Sequence, residues 1–267
     1  MGLDLVASSV PGSDKQFPRT YVSRVHPGRA TPTVVSLLAE RIRDVLGDGL
    51  VAMYLGGSFS MDDFVDGSSD YDVLVVIRDP LGSREVAALV DLHERLLAED
   101  RAASRLEGDY APRGWLVPEG TREPVHWFRR GRLQPQPRFM LSADNIANMR
   151  QHAIVVTGPA PAEVLPAVHP DQVRAAVRSM LEAVKECSTE RQAADEILSL
   201  LRSLRALETG APTTKSDGLR WGHAHLDERW PLILDRVEAI RRGAHVETHD
   251  TTLRRAIESL RGLLLPA

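Results

Sequence analysis

The stretch Tyr54–Ile77, YLGGSFSMDDFVDGSSDYDVLVVI, passes from an apolar run through Gly-Gly-Ser and an acidic loop to two aspartates one residue apart, then leaves as a second apolar run. Together with the preceding LVAM it predicts two buried strands, LVAMYL and YDVLVVI, joined by a turn-rich loop. Alternate side chains on a strand share a face, so Asp70 and Asp72 point together and Tyr71 points away. Carboxylates held that close repel unless a cation neutralises them, and hard divalent ions such as Mg²⁺ prefer oxygen ligands of this kind. Gly56 and Gly57 permit a tight turn and a close backbone approach, and the amide N–H groups near Ser58 are placed to cradle phosphate oxygens. Ser58 and Ser69 add hydroxyls. A phosphate grip beside a metal clamp is what phosphoryl or nucleotidyl transfer requires, because that chemistry is mostly positioning and charge neutralisation. Glu107, in SRLEGDY on a later strand, is a candidate third carboxylate for the metal. An isolated Asp-x-Asp would read as a solvated strand end; the full order of strand, Gly-Gly-Ser, loop, Ser-Asp-x-Asp and strand favours the functional reading.

Outward from this motif, TPTVVSLLAERIRDVLGDG predicts a helix with Thr31 as cap, Pro32 at its first position, and Gly47 or Gly49 at its end. Ser83 is expected to cap a helix running to about Asp100, with His93 packed in its inner stripe. SRLEGDYA, GWLVPE and PVHWFRRG are short strand candidates. The order predicts an α/β (α+β) fold: a compact mixed sheet with helices over one face. From Ser142 the texture changes: the chain starts as a helix, passes through the short run AIVVTG and ends in a Pro-rich connector. Beyond it, Pro170–Glu186, Glu190–Thr209, Lys215–His225, Trp230–Arg242 and Thr251–Leu265 all carry apolar residues three and four apart and predict a helical bundle. The expected organisation is an N-terminal arm over 1–30, a sheet domain over 31–160 and a helical domain over 161–267.

The chain has 267 residues, 43% of them hydrophobic and 26% charged, which suits a globular protein with a sizeable core. Its 33 Lys and Arg against 37 Asp and Glu give a net charge of −4. That balance argues against a nucleic-acid partner and for a small or cationic one. A lone cysteine, Cys187, excludes an intrachain disulfide and reads as a helix-packing thiol. With no signal peptide or apolar span in the sequence, a cytoplasmic protein without membrane contact is expected.

The GGS and SDYDVLVVI segments resemble the signature of the nucleotidyltransferase superfamily. TGPAPAEVLPAV and LLRSLRALETGAPTTKSDGLRWG extend the likeness to the streptomycin/spectinomycin adenylyltransferases, whose small mixed sheet is followed by a C-terminal helical domain. The resemblance spans roughly residues 35–243. It implies a monomeric, Mg²⁺-dependent adenylyltransferase of the antibiotic-resistance type, with ATP as co-substrate. AMP would pass to a hydroxyl of a small, cationic, aminoglycoside-like acceptor. Asp70 and Asp72 would hold the metal, with Glu107 as general base and possible third ligand. Gly57, Ser58, Ser69, Arg202 and Lys215 would bind the nucleotide, a role that suits the forked guanidinium and the point-charge ammonium. A transferase acting on a protein or metabolite, or a nucleotide-binding regulatory protein, is the alternative.

Three positions depart from that pattern. The family's phosphate-contacting Tyr falls in VEAIRRG, where Arg241 or Arg242 stands instead. Its drug-contacting aspartate falls near Gln192, leaving Glu190 and Asp195 as candidates for acceptor binding, with Trp127 or Trp115 as the aromatic. Asp62, Asp63 and Asp66 form an acidic loop, read first as solvated and second as attractive to a polycation. Trp221 and Trp230 read as bundle core, and FRRGR as a solvated turn. His223 and His225, two apart on a helix, face different directions and make a poor metal pair.

Overall fold

The computed structural model describes residues 30–139, 141–181, 187–244 and 251–264, so the arm expected over 1–30 lies almost wholly outside the described residues. In chain order the elements are α1 (Thr33–Leu46), β1 (Leu50–Leu55), α2 (Gly57–Ser60), β2 (Tyr71–Ile77), α3 (Ser83–Glu99) and β3 (Leu106–Pro112). They are followed by β4 (Leu116–Val117), β5 (Gly120–Thr121), β6 (His126–Arg129), β7 (Arg132–Leu133), α4 (Ala143–His152), β8 (Ile154–Thr157) and α5 (Pro161–Val164). The helical part comprises α6 (Pro170–Leu181), α7 (Glu190–Thr209), α8 (Lys215–His225), α9 (Pro231–Arg241) and α10 (Thr252–Leu264).

Six strands form one mixed sheet in the order β7-β6-β3-β2-β1-β8, and β4 and β5 form a separate ribbon. Only β2 and β3 run parallel, which demands a crossover, and α3 supplies it. Period two sorts the sheet's side chains cleanly. Val73, Val75 and Ile77 of β2, with Met53 and Leu55 of β1, pack under α1 and α3. Leu74, Val76, Ala52 and Tyr54 face the other way, against Ile146 and Met149 of α4 and Val164 beside Leu165 at α5. The expectation of helices over one face is therefore corrected: both faces are covered. The helix starting at Ser142 was legible, but not that it covers the second face, and α5 sits inside the Pro-rich connector.

Two caps also differ from expectation. Pro32, with ψ at 140°, is still extended and occupies the cap position, so α1 begins at Thr33 instead of Pro32. At α3 the cap is Gly82, whose N–H donates to the Glu85 carboxylate at 2.7 Å, and Ser83 is the first helical residue. α7 and α8 have the expected bounds because each is closed by a capping box, Thr189 with Gln192 and Thr214 with Asp217. Gly210, left-handed at φ 67°, stops α7. α7 forms the axis of the helical part, contacting α6, α8, α9 and α10. Trp230 is buried in that core, and Trp221 packs on it while stacking on His225.

His93 is fully buried, as its place in the apolar stripe implied. Its Nδ1 lies 2.9 Å from the Gly131 carbonyl and its Nε2 2.9 Å from the Tyr110 hydroxyl. A carbonyl can only accept, so Nδ1 carries the proton and Nε2 accepts from Tyr110. Burial holds the imidazole down at about 4, against an ordinary 6.5. The unfolded chain thus takes up a proton before the folded one does. Stability from this group is complete above pH 6.5 and is lost as pH falls toward 4, by on the order of 3 kcal/mol. Denaturant midpoints measured across that window should fall for the unaltered protein and flatten for His93→Gln, the difference between the two isolating this group.

Candidate functional site

The Gly-Gly-Ser turn and the aspartate pair meet at one end of the sheet. Gly56 N–H donates to the Asp72 carbonyl at 2.8 Å, which lays the turn directly beside the start of β2. Gly57 has φ 59°, and a Cβ built there would stand 1.8 Å from Asp72 Oδ2. Glycine is needed at 57 both for the left-handed backbone and to leave room for the carboxylate. The Gly57 N–H is already engaged, donating to Asn148 Oδ1 of α4 at 3.1 Å, so α4 fixes the turn from the opposite side.

Asp72 lies on the face of Leu74 and Val76, and Tyr71 on the other, stacked on Phe64. Glu107 stands directly opposite Asp72 in the parallel register of β2 and β3. Burial first, then Glu107 and Asp70, push the Asp72 carboxyl up to about 6, while Arg202 and Lys215 draw it back. Asp70 is raised as well, by desolvation and then by Glu107. Asp72, the most buried of the acids, thus feels the charges of both Asp70 and Glu107, whereas Asp70 is exposed at the rim. Glu107 Oε1 accepts from Arg129 Nε at 2.9 Å.

A cleft of about 380 Å³ opens between this end of the sheet and the helical part. The sheet side contributes Gly57, Ser58, Ser69, Asp70 and Asp72; α7 contributes Asp195 and Arg202, α8 contributes Lys215, and α9 contributes Arg241. Ser69 Oγ accepts from Val65 N–H at 2.9 Å, which orders the acidic loop and leaves its own proton to donate. Lys215 Nζ pairs with Asp195 Oδ1 at 2.9 Å, whereas Arg202 makes no such bond among the described residues. Acids on one wall and cations on the other suit a ligand that carries phosphates and a metal together.

Among the described residues no group of three or more His, Cys, Asp or Glu could hold a metal by itself. Mg²⁺ does not require such a cage, since it commonly takes one or two carboxylates and completes its shell with water and substrate phosphates. Two hard, mutually repelling carboxylates, both with raised affinity for a proton, fit that pattern.

The remaining sequence candidates fall elsewhere. Glu107, Trp127 and Glu190 do not line the cleft, although Glu107 stands opposite Asp72 on the neighbouring strand. Trp127 donates from Nε1 to the Gln136 carbonyl with Arg138 over its ring, and Glu190 is buried at the start of α7 in an ion pair with Arg236. Gln192, where the family pattern led to an acid, is spent on the α7 capping box. The acidic loop is not simply solvated: Asp63 is buried against Arg241, and Asp66 pairs with Arg105. Arg242 is engaged on the surface by Glu238.

Two residues were not singled out from sequence. Asn148 offered no signal. Asp109 did, standing two residues after Glu107 and hence on the same face; desolvation pushes its carboxyl up to about 7, and its Oδ1 is buried without a partner among the described residues.

Residues 163–265 match the family model of the aminoglycoside adenylyltransferase C-terminal domain. No curated protein sequence matches the chain. The fold is similar to a crystal structure of the spectinomycin adenyltransferase AAD(9) from Enterococcus faecialis with ATP and spectinomycin. The TM-score is 0.72 at 18% identity, over 86% of this chain and 98% of that one. At that identity the likeness concerns the fold.

Proposed function

We propose that this chain, whose residues 163–265 match the aminoglycoside adenylyltransferase C-terminal domain, is a nucleotidyltransferase that transfers AMP from ATP to a hydroxyl of an aminocyclitol or aminoglycoside such as spectinomycin or streptomycin. The observation that carries this reading is the cleft itself, where Asp70 and Asp72 face Arg202 and Lys215 across one space. A triphosphate laid there meets cations from the helical side and, through a metal, carboxylates from the sheet side. Mg²⁺ held by Asp70 and Asp72 would neutralise the α-phosphate and the departing pyrophosphate. Gly57 and Ser58 place the turn against the phosphates, with the Ser69 hydroxyl beside them. Arg202 and Lys215 hold the β- and γ-phosphates, and Lys215 exchanges its Asp195 partner for them. Asp195, released, is left for a cationic group of the acceptor.

Glu107 then takes the proton of the acceptor hydroxyl. The acceptor oxygen forms a bond to the α-phosphorus as the bridging oxygen between the α- and β-phosphorus leaves with pyrophosphate. The sheet domain of 31–160 and the helical domain of 161–267 close on ATP between them, within one monomer. Among the described residues no helix is long and apolar enough to cross a membrane.

The test is pyrophosphate release with ATP and Mg²⁺ over a panel of spectinomycin, streptomycin, unrelated amines and a protein mixture. Release above the ATP-only background is expected with the aminocyclitols, together with loss of their antibacterial action. Label from ATP transferred to protein instead would move the reading to a protein acceptor, and no release with any acceptor would end it.

A further inference from the structure

The helical cations reach the cleft only if α8 and α9 are held at a fixed distance from the sheet, and one contact bridges that gap. Asp63, in the loop between α2 and β2, has only 8% of its side chain exposed, as does Arg241 at the end of α9. Arg241 Nη2 lies 2.8 Å from Asp63 Oδ2 and also donates to the Asp63 carbonyl at 2.8 Å. Its Nη1 donates to Ser216 Oγ at 2.8 Å. Ser216, the second residue of α8, in turn donates to the Asp63 carboxylate from its hydroxyl and, at 3.3 Å, from its backbone N–H. One carboxylate from the sheet part thus occupies the N-terminus of α8, where the helix dipole favours an anion, and binds α9 at the same time. The residue before Ser216 is Lys215.

We infer that Asp63 is a positioning residue for the nucleotide: by holding the first turn of α8 and the last turn of α9, it sets Lys215 and Arg241 in the cleft opposite Asp70 and Asp72. This rests on the reading of the cleft as an ATP site. Asp63 itself touches no phosphate. Its carboxylate is consumed by Arg241 and Ser216, so its effect on the nucleotide passes through them. The acidic loop that carries Asp63 also carries Ser69 and leads into Asp70, so the same contact ties the metal-side wall to the phosphate-side wall. A loop that looks like a solvated acidic patch in the sequence is the joint between the two halves of the site.

The experiment is calorimetric titration of the full-length protein with ATP and Mg²⁺, alongside steady-state kinetics. Asp63→Ala is expected to weaken ATP binding and raise its KM about tenfold, the equivalent of one charge-assisted contact, with a smaller change in kcat at saturating ATP. Because Asp63 acts through Lys215 and Arg241, Asp63→Ala should cost less ATP affinity in a Lys215→Ala background than in the unaltered protein. Should Asp63→Ala leave Arg241 buried without a partner and fail to fold, Asp63→Asn keeps an acceptor for Arg241 and Ser216 while removing the charge, and should show a smaller loss that is still weighted to KM. ATP binding by a folded Asp63 variant equal to that of the unaltered protein overturns the inference, as do fully additive losses in the double variant. Absence of ATP binding by the unaltered protein overturns the nucleotide reading and this inference with it.

Discussion

Asp72→Asn is expected to abolish the proposed AMP transfer while the protein stays folded and melts at the same temperature or higher. Both halves follow from where the carboxylate sits. Facing Glu107 across the β2–β3 register and standing beside Asp70, it is raised to about 6 from an ordinary 3.8. A carboxyl raised in the folded state stabilises most when protonated, below pH 3.8, and that contribution is gone once pH has risen through 6. At neutral pH the ionised side chain therefore opposes folding, by on the order of 3 kcal/mol. An amide of the same shape removes that opposition. The proposed function, in contrast, needs the charge: if Asp72 holds the metal, its loss forfeits several kcal/mol of transition-state stabilisation, equivalent to about a thousandfold in rate. Thermal melts with and without ATP and Mg²⁺ check both halves, since ligand should raise the melting temperature of the unaltered protein and not of the variant. A variant that melts well below the unaltered protein would show Asp72 to be structural, and one that still turns over would remove it from the site.

The sequence disclosed those parts of the site whose cause is local. Period two placed Asp72 on one face of β2 and Tyr71 on the other, and the same rule puts Glu107 and Asp109 on the Asp72 side of β3. Capping boxes four residues long fixed the starts of α7 and α8, and with them Asp195, Arg202 and Lys215 on the cleft. What was not legible depends on contacts between distant segments. Asp63 and Arg241 are 178 residues apart, and neither carries a mark in its own neighbourhood that distinguishes it from a surface charge. Asn148 fixes Gly57 from 91 residues away through a side chain that fits no pattern. Glu190 shows the ambiguity of a local reading, since an acid in the first turn of a helix reads equally as a ligand or as a partner for that terminus, and here it is buried beside Arg236.

Glu107→Gln separates binding from chemistry. The residue does not line the cleft in which the triphosphate cations stand, so its loss should leave the affinity for ATP within about twofold. It sits on the strand next to Asp72, and its Oε1 accepts from Arg129 Nε at 2.9 Å, so its other oxygen is the one available for the proposed proton transfer. If Glu107 is the proposed general base, its removal should cost about 10²–10⁴-fold, and because the amide keeps the shape and one acceptor oxygen the loss should appear in kcat, with KM for both substrates little changed. Arg129→Lys supplies the graded comparison: it keeps the charge but loses the planar donor at Nε, so it should lower kcat less than Glu107→Gln and leave ATP binding unaltered. Weak ATP binding by Glu107→Gln would instead make Glu107 chiefly a metal ligand, because a third carboxylate at the ion would be felt before any proton moves.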